Sequence, residues 1–296
     1  MSLTSLVNKV EVKKRFKQEF SNFPPLSQKP IIITPKSTRY VLIGIAFDYL
    51  FRFFLESINP HAKTWDWVAK SALPYLDTSP IGWKKGAKEI VLKLSRTTQY
   101  IFPDTPFIKR ALALWEYINN QYQGFKKDHF IGPSLVKAAL GLAHFDLIYR
   151  SGYVQDENID ITYPEDEEEL LELIAIIPKH EFLSKKTCLL NPKFGTASRL
   201  VGGADADVYL DGLLIDIKTT KELKLKREHI NQLLGYFVLH NISGIGGLRP
   251  KLEINRVGIY FSRFAYLYTV EVDQIINAVS FPILVKWFRD YASAHP

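Results

Sequence analysis

The segment from Ala204 to Thr219 constrains the fold more than any other part of the chain. It reads ADADVYLDGLLIDIKT, with an Asp-Gly pair at positions 211–212 between two runs rich in strand-forming residues. An Asp-Gly pair in this setting favours a two-residue type I′ turn, because that turn needs positive φ at both central positions. The segment therefore predicts a tight β-hairpin.

Counting outward from the turn gives the register of this hairpin. The predicted cross-strand pairs are Leu210 with Leu213, Val208 with Ile215, Asp207 with Asp216, and Asp205 with Lys218. Side chains alternate between the two faces of a strand, so the polar residues are expected to share one face. That face carries Asp205, Asp207, Tyr209, Leu214, Asp216 and Lys218, and the other carries Val208, Leu210, Leu213, Ile215 and Ile217.

Carboxylates and a lysine on one face of otherwise apolar strands indicate a chemical site. Crowded carboxylates repel each other and are costly to desolvate, so a divalent cation that prefers oxygen ligands would compensate them. Lys218 beside such a cation is suited to orient water or to stabilise negative charge on a phosphate. The alternative is an edge hairpin whose polar face is solvated and held by cross-strand salt bridges.

The stretch GADADVYLDGLLIDIKTT resembles motifs II and III of the PD-(D/E)XK nuclease superfamily. Those motifs are an Asp on one strand and (D/E)-x-K on the next, here Asp216-Ile217-Lys218. The resemblance implies that Asp207 and Asp216 bind Mg²⁺ or Mn²⁺ and that Lys218 is the catalytic lysine. Asp205 competes with Asp207 for the motif II position, and the expected place of Asp207 opposite Asp216 favours Asp207.

Two further patterns are similar to the RecB-like branch of that superfamily. Gln232 and Tyr236, on a predicted helix from about 227 to 240, match its QxxxY motif, which implies that both help to position the active site and the nucleic acid. The run GIAFD at 44–48 resembles its GxxxH motif I, with Asp48 in place of histidine, which implies a further metal ligand. The alternative for Asp48 is a surface ion pair with Arg52 at i, i+4.

The charge balance favours a polyanionic partner. Lys and Arg number 38 against 31 Asp and Glu, which gives a formal charge of +7. A basic run lies between the Asp-x-Lys motif and the predicted QxxxY helix, where it would neutralise backbone phosphates without reading sequence, or else form a solvated charged surface. This run comprises Lys221, Lys224, Lys226 and Arg227. The single cysteine excludes the iron–sulfur cluster of some RecB-like relatives.

The chain divides into four predicted segments. Residues 1–36, which end in a proline-containing stretch, are expected to form an extended arm. Residues 37–58 form the motif I-like first core helix, 59–183 a helical insertion, and 184–296 an α/β nuclease core with a C-terminal helix. The resemblance implies a restriction-endonuclease-like αβββαβ core with a large helical insertion. The acidic run 165–169 predicts the first turn of a helix, with a metal-binding cluster as the alternative.

The resemblance implies a divalent-metal-dependent nuclease that hydrolyses phosphodiester bonds of DNA, in defence or repair. An RNA-cleaving nuclease and a catalytically silent nucleic-acid-binding or scaffolding module of the same fold are the alternatives. No signal peptide or membrane span is recognisable, which predicts a cytoplasmic protein without a membrane partner. A separately encoded protein partner and a homo-oligomer both remain open.

Overall fold

A computed structural model of the chain describes most of its residues and divides them into two compact units. The first unit comprises Met1–Ile32, Asn59–Trp65 and Pro178–Pro296, and the second comprises Ile33–Ile58 and Asp66–Ile177. The described residues are 2–20, 23–73, 90–94, 97–101, 105–151, 158–246, 248 and 251–295.

Helices and strands are numbered along the whole chain. The first unit contains α1 (Leu3–Val7), α2 (Val10–Glu19), β1 (Lys63–Thr64), β4 (Cys188–Leu190), α7 (Gly195–Leu200), β5 (Val208–Leu210), β6 (Leu213–Lys218), α8 (Arg227–Ser243), β7 (Arg256–Phe261), β8 (Tyr266–Glu271), α9 (Val272–Ile275) and α10 (Phe281–Ala294). The second contains α3 (Tyr40–Ile58), β2 (Ile90–Leu94), β3 (Thr97–Ile101), α4 (Thr105–Asp128), α5 (Pro133–Ser151) and α6 (Pro164–Ala175). Short 3₁₀ helices lie at Val68–Ala72, Lys179–Phe182 and Ser262–Phe264.

The first unit is built on a six-stranded mixed sheet in the order β1-β4-β5-β6-β7-β8. The β1–β4 and β6–β7 pairs are parallel and the other three pairs are antiparallel. A parallel neighbour requires a crossover, which α8 provides between β6 and β7. Helix α8 packs on one face of the sheet, in a core that contains Tyr209, Leu214, Val257 and Ile259. The predicted α/β class is therefore confirmed.

The predicted hairpin forms β5 and β6. Leu210 pairs with Leu213 and Val208 with Ile215, so the register obtained by counting is confirmed over the strands. Asp211 and Gly212 have φ values of 44° and 92°, as a type I′ turn requires. A side chain at Gly212 would also bring its Cβ to 2.7 Å from Asn255 Oδ1, so the Asn255 side chain would have to move to admit it.

The prediction of an extended arm over residues 1–36 is wrong for its first half. Helices α1 and α2 form there because apolar side chains such as Val12 and Phe16 recur at helical spacing and are fully buried. Helix α1 packs on α8 at Gly235, where an added Cβ would lie 3.0 Å from side-chain atoms of Leu3 and Val7. The amino-terminal helices are therefore part of the core of the first unit.

The other predicted boundaries also differ from those of the two units. Helix α3 belongs to the second unit, where it packs against α5 and α6, rather than to the unit that contains the large sheet. The segment 59–183 is not purely helical, because it contains the antiparallel β2–β3 pair and strand β1, which joins the large sheet. Residues rich in β-branched and aromatic side chains, IVLKL and TTQYI, form that pair.

The acidic run at the start of α6 is used for capping and ion pairing. Glu169 Oε2 accepts hydrogen bonds from the backbone N–H groups of Lys36 (2.5 Å) and Ser37 (2.9 Å), immediately before α3 begins. Lys36 Nζ also lies 2.7 Å from Glu168, and Arg39 Nη2 lies 2.7 Å from Asp166. These contacts support the interpretation of the run as an acidic helix start, and they leave its metal-binding alternative without support.

Among the residues that the structure describes, none of the helices combines the length and the apolar character that crossing a bilayer requires.

The Asp211 side chain ties the hairpin turn to the strand before it, which makes it a target for a stability test. Its carboxylate accepts backbone N–H groups from Lys185 (2.6 Å), Lys186 (3.1 Å) and Thr187 (2.7 Å). Partial burial acts to raise the pKa of Asp211, but these donors outweigh it, so the pKa lies below its ordinary value of 3.8.

We expect Asp211→Gly to reduce the free energy of unfolding by about 2 kcal/mol and Asp211→Asn to reduce it less. Glycine and asparagine both tolerate positive φ, so the difference reports on the lost acceptor oxygens. Because the folded pKa is lowered, the stabilisation is complete above the ordinary pKa and is lost as the pH falls through the folded value. Urea denaturation across that range would show it, and equal stability of all three proteins would contradict it.

Candidate functional site

The centre of the candidate site is a carboxylate–ammonium pair on β6, which is an interior strand of the sheet. Asp216 and Lys218 are two residues apart and project from the same face as Leu214, which α8 covers. The side chain of Asp216 is 1% exposed and that of Lys218 is 17% exposed, and Lys218 Nζ lies 2.7 Å from Asp216 Oδ2. The pair is therefore an ion pair held away from bulk solvent.

The Asp216 carboxylate is not fully satisfied by this contact. Oδ2 is buried, its close partner is the Lys218 ammonium at 2.7 Å, and no other hydrogen-bond donor of the described residues reaches it. Burial raises the pKa of Asp216 although the charge of Lys218 acts to lower it. A buried carboxylate oxygen with an unused lone pair is a group that can accept a cation.

Asp207 and Asp205 lie just before β5, and both are partly buried. Asp207 Oδ2 accepts a hydrogen bond of 2.7 Å from the backbone N–H of Ile217, the residue after Asp216, although the ladder ends before the predicted Asp207–Asp216 pair. Asp205 forms an isolated antiparallel bridge with Lys193 instead of pairing with Lys218. The expected pairing of Asp205 with Lys218 is wrong, because the β5–β6 ladder ends at the Val208–Ile215 pair.

Gln232 and Tyr236 on α8 extend the site by a chain of hydrogen bonds. Lys218 Nζ donates to Gln232 Oε1 at 3.2 Å, and Gln232 Nε2 donates to the Tyr236 hydroxyl at 2.9 Å. The Tyr236 ring stacks on Phe194 with centroids 5.9 Å apart. Burial, followed by the charges of the three site aspartates, raises the pKa of Tyr236 well above its ordinary value, so its hydroxyl stays protonated. The structure thus brings Asp207, Asp216, Lys218, Gln232 and Tyr236 together.

Asp48 lies on α3 in the second unit, so it is not part of the geometry described above. Arg52 Nε donates to the backbone carbonyl of Asp48 at 2.9 Å. Arg52 is only 7% exposed and stacks over Tyr49, with 4.3 Å from its guanidinium carbon to the ring centroid. The alternative of a surface Asp48–Arg52 pair is therefore wrong about Arg52, which is buried. The predicted metal role of Asp48 stays a prediction.

The four predicted nucleic-acid-binding residues lie in two different settings. Lys221, Lys224 and Lys226 are exposed on the loop between β6 and α8, and Lys224 Nζ lies 3.0 Å from Glu222. Arg227 is half-buried, and its Nη1 donates to the carbonyl of Phe20 at 3.4 Å, at the end of α2. The three lysines are exposed at the surface, whereas Arg227 is directed into the fold.

The sequence reasoning missed His229. This residue lies one turn before Gln232 on α8, is 9% exposed, and has a buried Nδ1 with no hydrogen-bond partner. Burial and the positive charge of Lys218 lower its pKa to about 4. The seven histidines appeared scattered along the chain, but the spacing 229, 232 and 236 places this one on the same helical face as the QxxxY pair.

The possible metal ligands in this site are few. Within the described residues, no group of three or more His, Cys, Asp or Glu side chains is placed to hold a metal ion. Asp207 accepts the backbone N–H of Ile217, next to Asp216, so these two carboxylates are the candidate ligands of a hard cation. Mg²⁺ commonly uses only one or two protein carboxylates and completes its shell with water and phosphate oxygens.

Fold and site together define a mixed α/β protein with a buried Asp–Lys pair on its central sheet. Comparison with protein-family models, with curated proteins and with solved structures finds no match for this chain.

The buried pair predicts how stability responds when Lys218 is removed. We expect Lys218→Met, measured in EDTA, to lower the free energy of unfolding by about 3 kcal/mol, because it leaves a buried carboxylate without its partner. An acid whose pKa is raised in the folded state costs stability above that pKa, and the cost is relieved as the pH falls through it. The penalty should therefore be larger at alkaline than at mildly acidic pH.

The double variant Asp216→Asn/Lys218→Met tests the cause of that penalty. It should recover most of the lost stability in chemical denaturation, because no uncompensated charge remains buried. A double variant as unstable as Lys218→Met would show that the loss comes from packing of the lysine chain and not from the ion pair.

Proposed function

We propose that this protein is a divalent-metal-dependent nuclease of the PD-(D/E)XK superfamily, RecB-like branch, that hydrolyses phosphodiester bonds of DNA. One observation carries the proposal: Asp216 and Lys218, the two ends of the Asp-x-Lys pattern, are buried together at 2.7 Å, with Asp207 fixed across the hairpin. A solvated hairpin with ordinary surface salt bridges would not bury Asp216 to 1% exposure.

The order of elements around the site supports the same proposal. Strands β4, β5 and β6 are antiparallel neighbours, and α8 then crosses to β7, which is parallel to β6. This order agrees with the βββαβ part of the αβββαβ core that the resemblance implies. The first helix of that core is the weaker match, because α3 belongs to the second unit and α1 and α2 pack in the first.

Each residue of the site has a distinct chemical task in this proposal. Asp207 and Asp216 would hold Mg²⁺ or Mn²⁺, which when bound polarises a phosphoryl oxygen and lowers the pKa of a water molecule. Lys218 places a positive charge where negative charge develops on the phosphate. Gln232 holds the Lys218 ammonium through Oε1, and the neutral Tyr236 hydroxyl holds the other end of that amide.

The surface lysines 221, 224 and 226 would contact the nucleic-acid backbone. They lie on the loop that directly follows β6, within a few residues of Lys218. Phosphate contacts of this kind bind without reading sequence and weaken with salt. Because the loop contains no aromatic side chain for base stacking, the proposal makes no choice between duplex and single-stranded DNA.

A cleavage assay with Mg²⁺ or Mn²⁺ tests the proposal directly. We expect linear, circular or single-stranded DNA to be cut by the wild-type protein, and Lys218→Ala and Asp216→Asn to lose at least about 100-fold in rate. RNA belongs in the same panel, since cleavage of RNA alone would identify the other nuclease class. EDTA should abolish cleavage by the wild type.

The chain offers a matched control pair for these variants. Lys286 and Asp290 on α10 form an ion pair of 3.1 Å, but their side chains are 73% and 54% exposed. Lys286→Ala and Asp290→Asn make the same chemical changes at the surface, so both should retain wild-type cleavage. Wild-type activity no higher than that of the Lys218 and Asp216 variants would favour the catalytically silent binding module instead.

Metal binding can be tested without a nucleic acid. Adding Mn²⁺ to the metal-free protein should raise its thermal unfolding midpoint in a saturable way, because a ligand that binds only the folded state stabilises it. Asp216→Asn should abolish the increase by removing a carboxylate ligand, and Asp290→Asn should retain it. An equal increase in wild type and Asp216→Asn would place the bound metal elsewhere.

A further inference from the structure

His229 is a buried polar residue beside the candidate site whose hydrogen bonding is incomplete. It lies on α8 at i, with Gln232 at i+3 and Tyr236 at i+7, so the three side chains share one helical face. Its ring is 9% exposed, and Nδ1 is buried without a hydrogen-bond partner. Buried nitrogen atoms of this kind are rare enough to need an explanation.

The surroundings of the imidazole decide which of its nitrogens accepts. Nε2 lies 3.9 Å from a carboxylate oxygen of Glu228, which favours a proton on Nε2. Burial and the charge of Lys218 keep the ring neutral at physiological pH, with a pKa of about 4. A neutral ring protonated at Nε2 leaves Nδ1 as a lone-pair acceptor directed into the protein.

The candidate donor for this acceptor is the Lys218 ammonium, which reaches the same face of α8. Lys218 Nζ reaches α8 at Gln232 Oε1, 3.2 Å away, and Gln232 is one helical turn from His229. Side chains three residues apart on a helix are neighbours, with Cβ atoms about 5–6 Å apart. The positive charge of Lys218 also lowers the pKa of the imidazole, as a nearby cation does.

We propose that His229 is a positioning residue for Lys218: when a substrate phosphate draws the ammonium away from Asp216, Nδ1 accepts the hydrogen bond that the ammonium then offers. The proposal rests on the nuclease function proposed above and adds a third contact to those of Gln232 and Asp216. In this proposal the first turn of α8, and not only Gln232 and Tyr236, helps to position Lys218.

The same helix contains a matched control residue. His240 is 3% exposed, its Nδ1 is also buried without a partner, and its pKa is likewise lowered to about 4 by burial and by Lys251. It lies eleven residues further along, roughly 16 Å away at 1.5 Å per residue. Both histidines are buried on α8, but Lys218 acts on His229, whereas Lys251 and a backbone hydrogen bond at Leu252 act on His240.

An NMR titration tests the coupling of His229 to Lys218 without any substrate. In Lys218→Met the pKa of His229 should rise, because the nearby positive charge is gone, while the pKa of His240 should stay unchanged. A His229 pKa that does not move in Lys218→Met would overturn the proposal. This readout stands whether or not the protein cleaves DNA, so its failure is distinct from failure of the nuclease proposal.

Steady-state cleavage kinetics test the positioning role. His229→Leu should lower kcat about 10-fold with little change in KM, as loss of a residue that orients an active group does. His229→Asn should restore most of the rate, because an Asn side-chain oxygen can take the place of Nδ1. His240→Leu and His240→Asn should both retain wild-type kcat.

Two results would contradict the positioning role. One is equal loss of kcat in His229→Leu and His240→Leu, which would indicate a general packing defect of α8. The other is failure of His229→Asn to recover activity while its thermal unfolding midpoint matches that of the wild type. Unfolding midpoints of all four variants separate reduced stability from reduced chemistry.

Discussion

The ion pair between Asp216 and Lys218 sets the requirements that the surrounding structure must meet. Removing a carboxylate and an ammonium from water costs several kcal/mol per ion, and their attraction repays this only with good geometry and added hydrogen bonds. The pair is held at 2.7 Å on an interior strand, and Gln232 supplies a hydrogen bond to the lysine. Burial still raises the pKa of Asp216 although Lys218 acts to lower it, so the ammonium compensates the buried carboxylate only in part.

Helix α8 has two roles next to this ion pair. It is the crossover that makes β7 parallel to β6, and it covers the face of the sheet from which the ion pair projects. Its residues Gln232 and Tyr236 continue the hydrogen bonds of Lys218, while Gly235 allows α1 to approach closely on another side. The amino-terminal helices therefore contribute to the site indirectly, by packing the helix that holds Gln232 and Tyr236.

Contacts at the two ends of the β5–β6 hairpin hold these strands in place. Asp211 accepts three backbone N–H groups of the preceding segment, so the turn is fixed to the sheet by its own side chain. At the other end the regular ladder stops, and the side chain of Asp207 accepts a hydrogen bond from the backbone N–H of Ile217. Strand pairing is thus replaced by a carboxylate contact at the place where the chemistry is proposed.

The sequence by itself determined the hairpin, its register over β5 and β6, the α8 helix and the sharing of one strand face by Asp216 and Lys218. These features depend on local rules: positive φ at an Asp-Gly turn, the two-residue period of strands and the helical spacing of Gln232 and Tyr236. The resemblance in the same short segment then gave the chemical hypothesis.

Tertiary structure decided the features that depend on contacts distant in the chain. Three features follow from contacts with remote partners. They are the packing of the amino-terminal segment in the unit that contains the large sheet, the direction of Arg227 towards Phe20, and the bridge of Asp205 to Lys193. His229 belongs to this group, because an isolated histidine in a helix gives no local signal. Lys218, whose charge lowers the pKa of His229, lies on strand β6, and only the packing of α8 on the sheet brings that charge near the helix.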